Sequence, residues 1–174
     1  VQSLTLSNER DQFENVRWPN EGYVTEIANP ITSDHTLLRQ YILPSLLRLL
    51  AANRHHELPQ RVYELGDVIR DSKNFLRAAW ACAEVGSGFT SSKGIVQALL
   101  RDMGAIHDDV EFRPTDAEDG PWISGRGSHV FIQDEKIGEF GEIDPKVSAF
   151  FGIKSPIQAG EIDLETIYRI IPDP

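Results

Sequence analysis

The stretch that decides the fold runs Leu43-Pro44-Ser45-Leu46-Leu47-Arg48-Leu49-Leu50-Ala51-Ala52-Asn53-Arg54-His55-His56. Pro44 suits the first turn of a helix, where its missing N–H is not needed and its fixed φ is already helical. After it, residues at helical spacing form a stripe that consists of Leu46, Leu47, Leu50 and Asn53. Leu49 and Ala52 make this stripe wider than one small sheet needs to cover. Basic residues 54–56 close the helix, where the helix dipole favours positive charge.

Net charge and cysteine content narrow the class of protein. The chain of 174 residues carries a formal net charge of -10, which argues against a protein that grips nucleic acid through a global positive field. A local basic patch is still compatible with that charge. The single cysteine, Cys82, allows no internal disulfide and indicates a reducing, intracellular compartment.

The apolar segments are too short for a membrane protein. No apolar run reaches the roughly 20 residues of a membrane span, and the N-terminal residues lack the pattern of a signal peptide. We therefore expect a cytoplasmic protein without a membrane partner. Because Val1 is not an initiator methionine and Pro172-Asp173-Pro174 directly follows an apolar segment, we also expect a piece of a longer polypeptide. Within it, residues 1–22 are predicted to be a lead-in segment and residues 23–174 a single domain.

Alternation, turn residues and helical spacing predict about seven strands and three helices. The strands are expected at residues 23–28, 60–69, 75–85, 110–113, 128–132, 136–143 and 157–164, the last with outward-pointing acidic residues. A helical turn is expected within residues 33–41, further helices after Ser91 or Ser92 and after Asp144, and a loop at 114–127. Since most strands are hairpin-linked, the pattern predicts an α+β fold, an antiparallel sheet flanked by helices gathered on one side.

Several short segments, taken in order, carry a resemblance to a known family. They are Asn29-Pro30-Ile31-Thr32, Leu38-Arg39, Leu43-Pro44-Ser45-Leu46-Leu47, Asn53, Val62-Tyr63-Glu64-Leu65-Gly66-Asp67-Val68, Ser92-Lys93-Gly94 and Lys136-Ile137-Gly138-Glu139-Phe140-Gly141-Glu142-Ile143-Asp144-Pro145. The order resembles the beta subunit of phenylalanyl-tRNA synthetase of archaeal and eukaryotic type, in the catalytic-like module of its C-terminal part. The chain departs from bacterial relatives at Trp122-Ile123-Ser124-Gly125-Arg126-Gly127, which stands in place of a His-Pro-Gly-Arg pattern.

The resemblance implies a fold like the class II aminoacyl-tRNA synthetase core. It also implies a catalytic alpha subunit as partner, in a heterotetramer of two alpha and two beta subunits that aminoacylates tRNA. In that family this module does not carry out aminoacylation. ATP and magnesium would then bind at the alpha subunit's active site, and this chain would hold no cofactor.

The residues themselves also argue against an ATP site. A class II site needs an arginine two residues before a glutamate on one strand, so that both side chains share a face. Here Arg61 precedes Glu64 by three residues, which places the two side chains on opposite faces of a regular strand. The glycine-bearing strand at residues 138–142 is not followed by the arginine that the second ATP contact requires. Gly66, in the same strand as Glu64, indicates a bulge or a close backbone approach.

Other candidate sites have simpler structural interpretations. The side chains of His55 and His56 diverge by about 100° on a helix, so they cannot easily bind one metal ion together. A role as positive charge at the end of the helix is therefore favoured. Residues 125–127 could cradle a phosphate through backbone amides, yet such glycines usually permit turns. A cation could bind the acidic loop residues Asp116, Glu118 and Asp119, although a solvated loop is favoured. Cys82 is expected to be an inert core residue.

The resemblance and the surplus of leucine together suggest an interface. One flank of the helix after Pro44 is expected to pack on the sheet, and the other to join subunits through Leu43, Pro44, Leu46, Leu47, Leu50 and Asn53. Residues 39–61 contain one acidic residue, Glu57, and supply the candidates for RNA contact, Arg39, Arg48, Arg54 and Arg61. We therefore predict a non-catalytic assembly domain of the synthetase beta subunit. An RNA-contacting module and a free-standing class II adenylating enzyme are the alternatives.

Overall fold

A computed structural model describes residues 1–171, and residues 172–174 lie outside it. The elements follow the order β1 (Leu6–Ser7), a π-helical turn (Arg10–Glu14), β2 (Leu37–Leu38), α1 (Leu43–Ala52), β3 (Gln60–Arg70), β4 (Lys73–Ala83), α2 (Phe89–Asp102), a 3-10 turn (His107–Asp109), β5 (Val110–Pro114), β6 (Trp122–Ile132), β7 (Glu135–Ile143), α3 (Pro145–Phe150), β8 (Ile157–Asp163) and α4 (Leu164–Ile170). None of these helices, the longest of which has 14 residues, is long and apolar enough to cross a membrane.

Six of the strands form one antiparallel sheet in the order β3-β4-β8-β7-β6-β5, and β1 pairs with β2 in a second, small sheet. The predicted antiparallel α+β fold and its two hairpins are therefore confirmed. Each hairpin turns through two residues with positive φ, at Asp71–Ser72 between β3 and β4 and at Gln133–Asp134 between β6 and β7. Such turns follow the right-handed twist of the flanking strands.

The helices cover both faces of the sheet, so the prediction that they gather on one side is wrong. Strand β4 shows why, because its side chains alternate between the two faces. Ala79 and Ala81 belong to a core that includes α1 and α3, whereas Trp80 and Cys82 belong to a second core that includes α2 and α4. Trp80 also lies against Gly160 of β8, where an added Cβ would stand 2.2 Å from the indole ring.

Helix α1 begins as predicted in the turn that contains Pro44, but both of its apolar flanks are covered. Its buried residues are Leu43, Pro44, Leu46, Leu47, Leu50 and Ala51. The flank expected to stay open packs in one core with Val16 and Trp18 of the N-terminal segment and with Phe151, which follows α3. The surplus of leucine therefore serves the interior of this chain. Val16 and Trp18, from the residues 1–22 predicted to be a lead-in segment, are part of that interior.

Tertiary pairing overrides several local patterns. The predicted strand at 23–28 is reduced to a single bridge between Glu26 and Leu37. The predicted helical turn contains β2 instead, because Leu38 pairs with Leu6 of β1. Six of the fourteen residues of the predicted loop at 114–127 belong to β6. Helix α4 was not predicted, although Asp163 caps it by accepting hydrogen bonds from the Thr166 backbone and hydroxyl, a signal present in the sequence.

Candidate functional site

A row of ionisable side chains crosses the sheet on the face that carries α1. Residues directly opposite one another on five neighbouring strands are His129, Glu139, Glu161, Ala79 and Glu64. Four of these five side chains can carry charge, and we call them the polar row: His129, Glu139, Glu161 and Glu64. Since charges on a covered sheet face need partners, the contacts of each member indicate what the row can do.

Glu64 is held in a closed network at one end of the row. Its carboxylate lies 2.8 Å from the Arg39 guanidinium, and the two side chains are 1% and 2% exposed, respectively. Ser3 donates its hydroxyl to Glu64 (2.6 Å) and accepts from Arg39 (2.8 Å), while Arg39 also donates to the Asp67 carbonyl (3.0 Å). Gly66 is required here, because an added Cβ would stand 2.7 Å from Arg39 Nη2. The group that approaches Gly66 is the Arg39 side chain and not another backbone, and the continuous register of β3 shows no bulge.

Glu161, at the centre of the row, ties the sheet to α1. Its Oε1 accepts hydrogen bonds from the backbone N–H groups of Ile42 and Leu43, both at 2.7 Å, and its Oε2 accepts from Arg77 Nε at 2.6 Å. Burial lowers the pKa of Arg77, but the carboxylates of Glu161 and Asp163 outweigh that effect and raise it above its usual value. Glu161 thus supplies the N-terminal cap that α1 does not have in its own sequence. The prediction that the acidic residues of this strand point outward is wrong for Glu161, which is 1% exposed.

At the other end of the row, His129 lies between two carboxylates. Its Nε2 is 3.0 Å from Asp119 Oδ2 and its Nδ1 is 3.4 Å from Glu139 Oε1, so that the three side chains offer ligand atoms within 4.8 Å of one another. Each ring nitrogen faces a different carboxylate, however, and the Lys136 ammonium lies 3.6 Å from Glu139. Burial raises the pKa of Glu139 more than Lys136 and His129 lower it. The geometry therefore favours an ion-pair cluster over a metal centre, and Asp116 and Glu118 of the predicted acidic loop do not join it.

The cavity above the polar row is small. It measures about 150 Å³ and is lined by residues that include Trp18, Tyr41, Arg70 and Arg77. Burial raises the pKa of the Tyr41 hydroxyl, which donates a hydrogen bond to the Pro19 carbonyl at 2.6 Å. Pockets for ligands the size of a nucleotide usually measure roughly 300–1,000 Å³. The cavity therefore has no room for ATP.

Arg61 and Glu64 lie on opposite faces of β3, as the spacing predicts. The Arg61 guanidinium is exposed and lies 2.6 Å from Glu84, whereas Glu64 is buried with Arg39. No bulge brings the two side chains together, because β3 pairs with β4 residue by residue. The arrangement that a class II ATP site needs is therefore missing from this strand.

The residues predicted to form a subunit interface are occupied within the chain. Leu43, Pro44, Leu46, Leu47 and Leu50 are buried, and partly exposed Asn53 donates its side-chain amide to the Leu49 carbonyl at 2.8 Å. An interface at α1 would have to use its exposed residues, among them Arg48 and Ala52. A role of α1 in assembly stays a prediction.

The four arginines predicted to contact RNA have different environments. Arg39 is buried with Glu64, Arg48 makes two hydrogen bonds of 2.6 Å to Asp11, and Arg61 pairs with Glu84. Among the described residues only Arg54 of the four lacks a carboxylate partner; it donates to the Ala51 carbonyl at 3.2 Å. The structure therefore does not bring the four together as one basic surface.

Of the other predicted features, Cys82 lies where the sequence placed it, whereas α1 ends at Ala52, before the basic residues 54–56 that were expected to close it. Cys82 is buried, and burial raises the pKa of its thiol. His55 and His56 are exposed just beyond α1. Gly125 has a φ of +79° but lies within β6, at the register shift between Trp122 and Gly127, so an irregular strand stands where a turn was predicted.

The outer side of β3 is an exposed surface that the sequence did not reveal. β3 is an edge strand, and within residues 1–171 no strand pairs with its free side. Tyr63 and Leu65 point away from α1 and are 66% and 59% exposed. Their alternation with Val62 and Glu64 was visible in the sequence, but the helices that cover each face of the sheet were not. An exposed apolar edge of this kind is typical of an interaction site.

Comparisons with known proteins agree on one family. The family described as phenylalanyl tRNA synthetase beta chain CLM domain matches residues 1–164. Relatives named phenylalanine–tRNA ligase beta subunit include those of Archaeoglobus fulgidus (35% identity over 97% of this chain and 30% of the relative), Methanopyrus kandleri (37%, 96% and 29%) and Pyrococcus furiosus (38%, 97% and 31%). The chain thus spans about 30% of the length of these curated relatives. The chain belongs to the phenylalanyl-tRNA synthetase beta-chain family.

Proposed function

We propose that this domain has no active site of its own and supports the assembly of a phenylalanine–tRNA ligase. Its partner is the alpha subunit, in a cytoplasmic heterotetramer of two alpha and two beta subunits. ATP and magnesium bind at the alpha subunit's active site, and this domain, with a sheet like that of the class II synthetase core, buttresses that site. The name of the relatives supports the proposal, because a beta subunit implies a complex.

The internal use of the polar row supports a non-catalytic role. Glu64 and Glu161 are buried and bound to Arg39 and Arg77, so neither carboxylate is open to a substrate. The cavity above the row measures about 150 Å³, which is too small for a nucleotide. These groups stabilise the fold, and they do not form an adenylation site.

The single observation that carries the assembly role is the edge of β3, which no strand of the described residues covers and which exposes two apolar side chains. Tyr63 and Leu65 project from a strand whose outer hydrogen-bonding groups are only partly used: the Tyr63 carbonyl accepts from the terminal amine of Val1, the Asp67 carbonyl accepts from Arg39, and the Ile69 N–H donates to the Arg39 carbonyl. A long edge strand with exposed apolar side chains favours association with another chain. The alpha subunit is the occupant that the family provides.

The assembly role can be tested by sedimentation velocity of the full-length protein mixed with its alpha subunit. We expect a stable complex, and we expect the double variant Tyr63→Ser/Leu65→Ser to weaken it by at least about tenfold, since loss of two apolar anchors typically costs more than 1 kcal/mol each. The matched control is Ile106→Ser/Phe150→Ser, which replaces two equally exposed apolar residues elsewhere and should leave the affinity unchanged.

Two results would contradict the proposal. If the wild-type protein does not associate with the alpha subunit, the assembly role is wrong. If the protein alone catalyses phenylalanine-dependent exchange between ATP and pyrophosphate, the non-catalytic role is wrong. If both double variants bind the alpha subunit with equal affinity, the interface does not lie at Tyr63 and Leu65 of β3.

A further inference from the structure

The cavity above the polar row is bordered by hydrogen-bond donors that the chain itself does not use. Trp18 is 5% exposed, and its Nε1 is buried without a hydrogen-bond partner among residues 1–171. Arg70 Nε is buried without a partner in the same way. Both residues line the cavity of about 150 Å³. Because a buried donor without a partner is costly, the two groups favour an acceptor in this cavity.

Arg77 brings further donors to the same cavity. It is 8% exposed, and within the described residues it donates only through Nε, to Glu161 at 2.6 Å. Its Nη1 lies 4.0 Å from Asp163 Oδ2, which is beyond hydrogen-bond range. Since a guanidinium presents its N–H donors as a planar fork, most of the donors of Arg77 stay available to a bound group.

The guanidinium groups of Arg70 and Arg77 lie against one aromatic ring and repel each other. Their Cζ atoms are 5.1 and 5.9 Å, respectively, from the centre of the Tyr41 ring. Burial, and then the charge of Arg77, lower the pKa of Arg70. A bound anion would offset this repulsion between two buried like charges.

The carboxylates at the wall of the cavity already have partners in the chain. Glu21 pairs with Arg70, and Asp163 caps α4. The other three bind His129 or Arg77; they are Asp119, Glu139 and Glu161. The groups left over are therefore donors, which favours a ligand with acceptor oxygens and disfavours one with an ammonium group.

We propose that this cavity binds a small monocarboxylate without an amino group, such as acetate. The planar carboxylate suits the guanidinium fork of Arg77 and can accept from Trp18 and Arg70. Its short apolar end suits a wall that includes Ile137. A single negative charge fits a wall that also carries carboxylates better than the double charge of phosphate does.

The size and place of the cavity define what binding does. Pockets for drug-sized ligands measure roughly 300–1,000 Å³, so a cavity of about 150 Å³ suits a ligand of only a few heavy atoms. A carboxylate held there joins Trp18 of the N-terminal segment to Arg70 of β3 and Arg77 of β4. The inference goes beyond the assembly role and does not depend on it.

The test measures binding of acetate to the full-length protein by saturation-transfer difference NMR of the acetate methyl signal, at an ionic strength kept constant with chloride. Acetamide is the matched control ligand, because it has the same shape and no charge. We expect acetate to bind with a Kd on the order of 0.1–10 mM, as suits a ligand of so few atoms. Acetamide should bind at least about tenfold more weakly, since it cannot form charge-assisted hydrogen bonds.

Two variants locate the bound acetate. Trp18→Phe removes the indole N–H and keeps an aromatic ring. Its matched control is Trp122→Phe, because Trp122 packs edge-on against Trp18 but lies outside the lining of the cavity. We expect Trp18→Phe to weaken acetate binding by about tenfold through loss of one hydrogen bond to a charged group, and Trp122→Phe to bind like the wild type. Arg70→Gln should weaken binding at least as much as Trp18→Phe.

Four results would overturn the proposal. The first, equal binding of acetate and acetamide to the wild-type protein, needs no variant. Tighter binding of glycine than of acetate would overturn it in favour of an amino acid, and displacement of acetate by an equal concentration of inorganic phosphate would do so in favour of a tetrahedral anion. Unchanged affinity of both Trp18→Phe and Arg70→Gln would show that acetate binds elsewhere. None of these readouts requires the alpha subunit, so failure of the assembly role would be seen separately.

Discussion

Replacing Glu161 by glutamine should destabilise the protein far more than any exposed Glu→Gln change. Glu161 Oε1 accepts two backbone N–H groups of α1 at 2.7 Å, and Oε2 accepts Arg77 Nε at 2.6 Å. A glutamine amide has one acceptor atom, so either its NH₂ group faces the α1 N–H groups or it faces Arg77. In both orientations donors oppose donors in a buried site.

The magnitude follows from the loss of the negative charge. Arg77 would keep only Asp163, at 4.0 Å, and removing one member of a buried ion pair costs about 3–5 kcal/mol. Loss of the helix cap adds about 1 kcal/mol when taken alone, but the two effects share one side chain and do not add fully. We therefore expect the free energy of unfolding to fall by about 3–5 kcal/mol, a large part of the roughly 5–15 kcal/mol of a typical domain.

Urea unfolding followed by tryptophan fluorescence measures this change, since Trp18 and Trp122 lie in one core and Trp80 in the other. The control is Glu135→Gln, whose glutamate pairs with Arg169 on the surface and whose loss should hardly move the midpoint. Adding Arg77→Met to the Glu161 variant should restore at least about 2 kcal/mol, because it removes the buried charge that has lost its partner. If Glu161→Gln shifts the midpoint no more than Glu135→Gln does, Glu161 does not hold α1 to the sheet.

Four further predictions concern single residues. Gly66→Ala should cost about 1–3 kcal/mol, because its Cβ would stand 2.7 Å from Arg39 Nη2. Gly94→Ala, in α2 with no atom within 4 Å of the new Cβ, should instead gain about 0.5–1 kcal/mol; both are measured by urea unfolding, and a gain for Gly66→Ala would contradict the packing at Arg39. Because burial raises the pKa of Glu139, its contribution to stability is present below the ordinary carboxyl pKa and is lost as the pH rises through the raised value. The stability of Glu139→Gln relative to wild type should therefore increase as the pH rises above the ordinary carboxyl range; a difference that is constant with pH would refute this. Cys82 should react with a thiol reagent much more slowly in the folded than in the unfolded protein, and equal rates would show that its strand is open.

The sequence predicted those parts of the fold that depend on local pattern. Pro44 and the leucine spacing located α1, and the alternation around Gly66 located β3, because these signals come from neighbours along the chain. The partners of the polar row depend on register between strands distant in sequence. Glu161 alternates with apolar residues like a solvent-facing side chain, and only the position of α1 over β8 shows that it is buried.

The candidate surfaces likewise combine features that local sequence predicts with features that only the folded chain shows. Arg77 lies in a predicted strand, whereas Trp18, distant along the chain, joins it at the cavity above the polar row only in the folded protein. The leucines of α1 were identified correctly as apolar, but the cover supplied by Val16, Trp18 and Phe151 could not be assigned from spacing. Tyr63 and Leu65 were assigned to the right strand, but the sequence did not indicate which face of that strand is exposed.

The position of β8 has a consequence for how the sheet is completed during synthesis. The hairpin of β3 and β4 and the meander of β5, β6 and β7 can each form from neighbouring segments, but they meet only through β8, which lies between β4 and β7. Until residue 163 has left the ribosome, the edges of β4 and β7 that later pair with β8 are open. The core that includes α1 then lacks Ala159, and the core that includes α2 lacks Ile162. The nascent chain therefore passes through a stage with two unpaired strand edges that are prone to aggregation. This stage ends when β8 pairs with both of them.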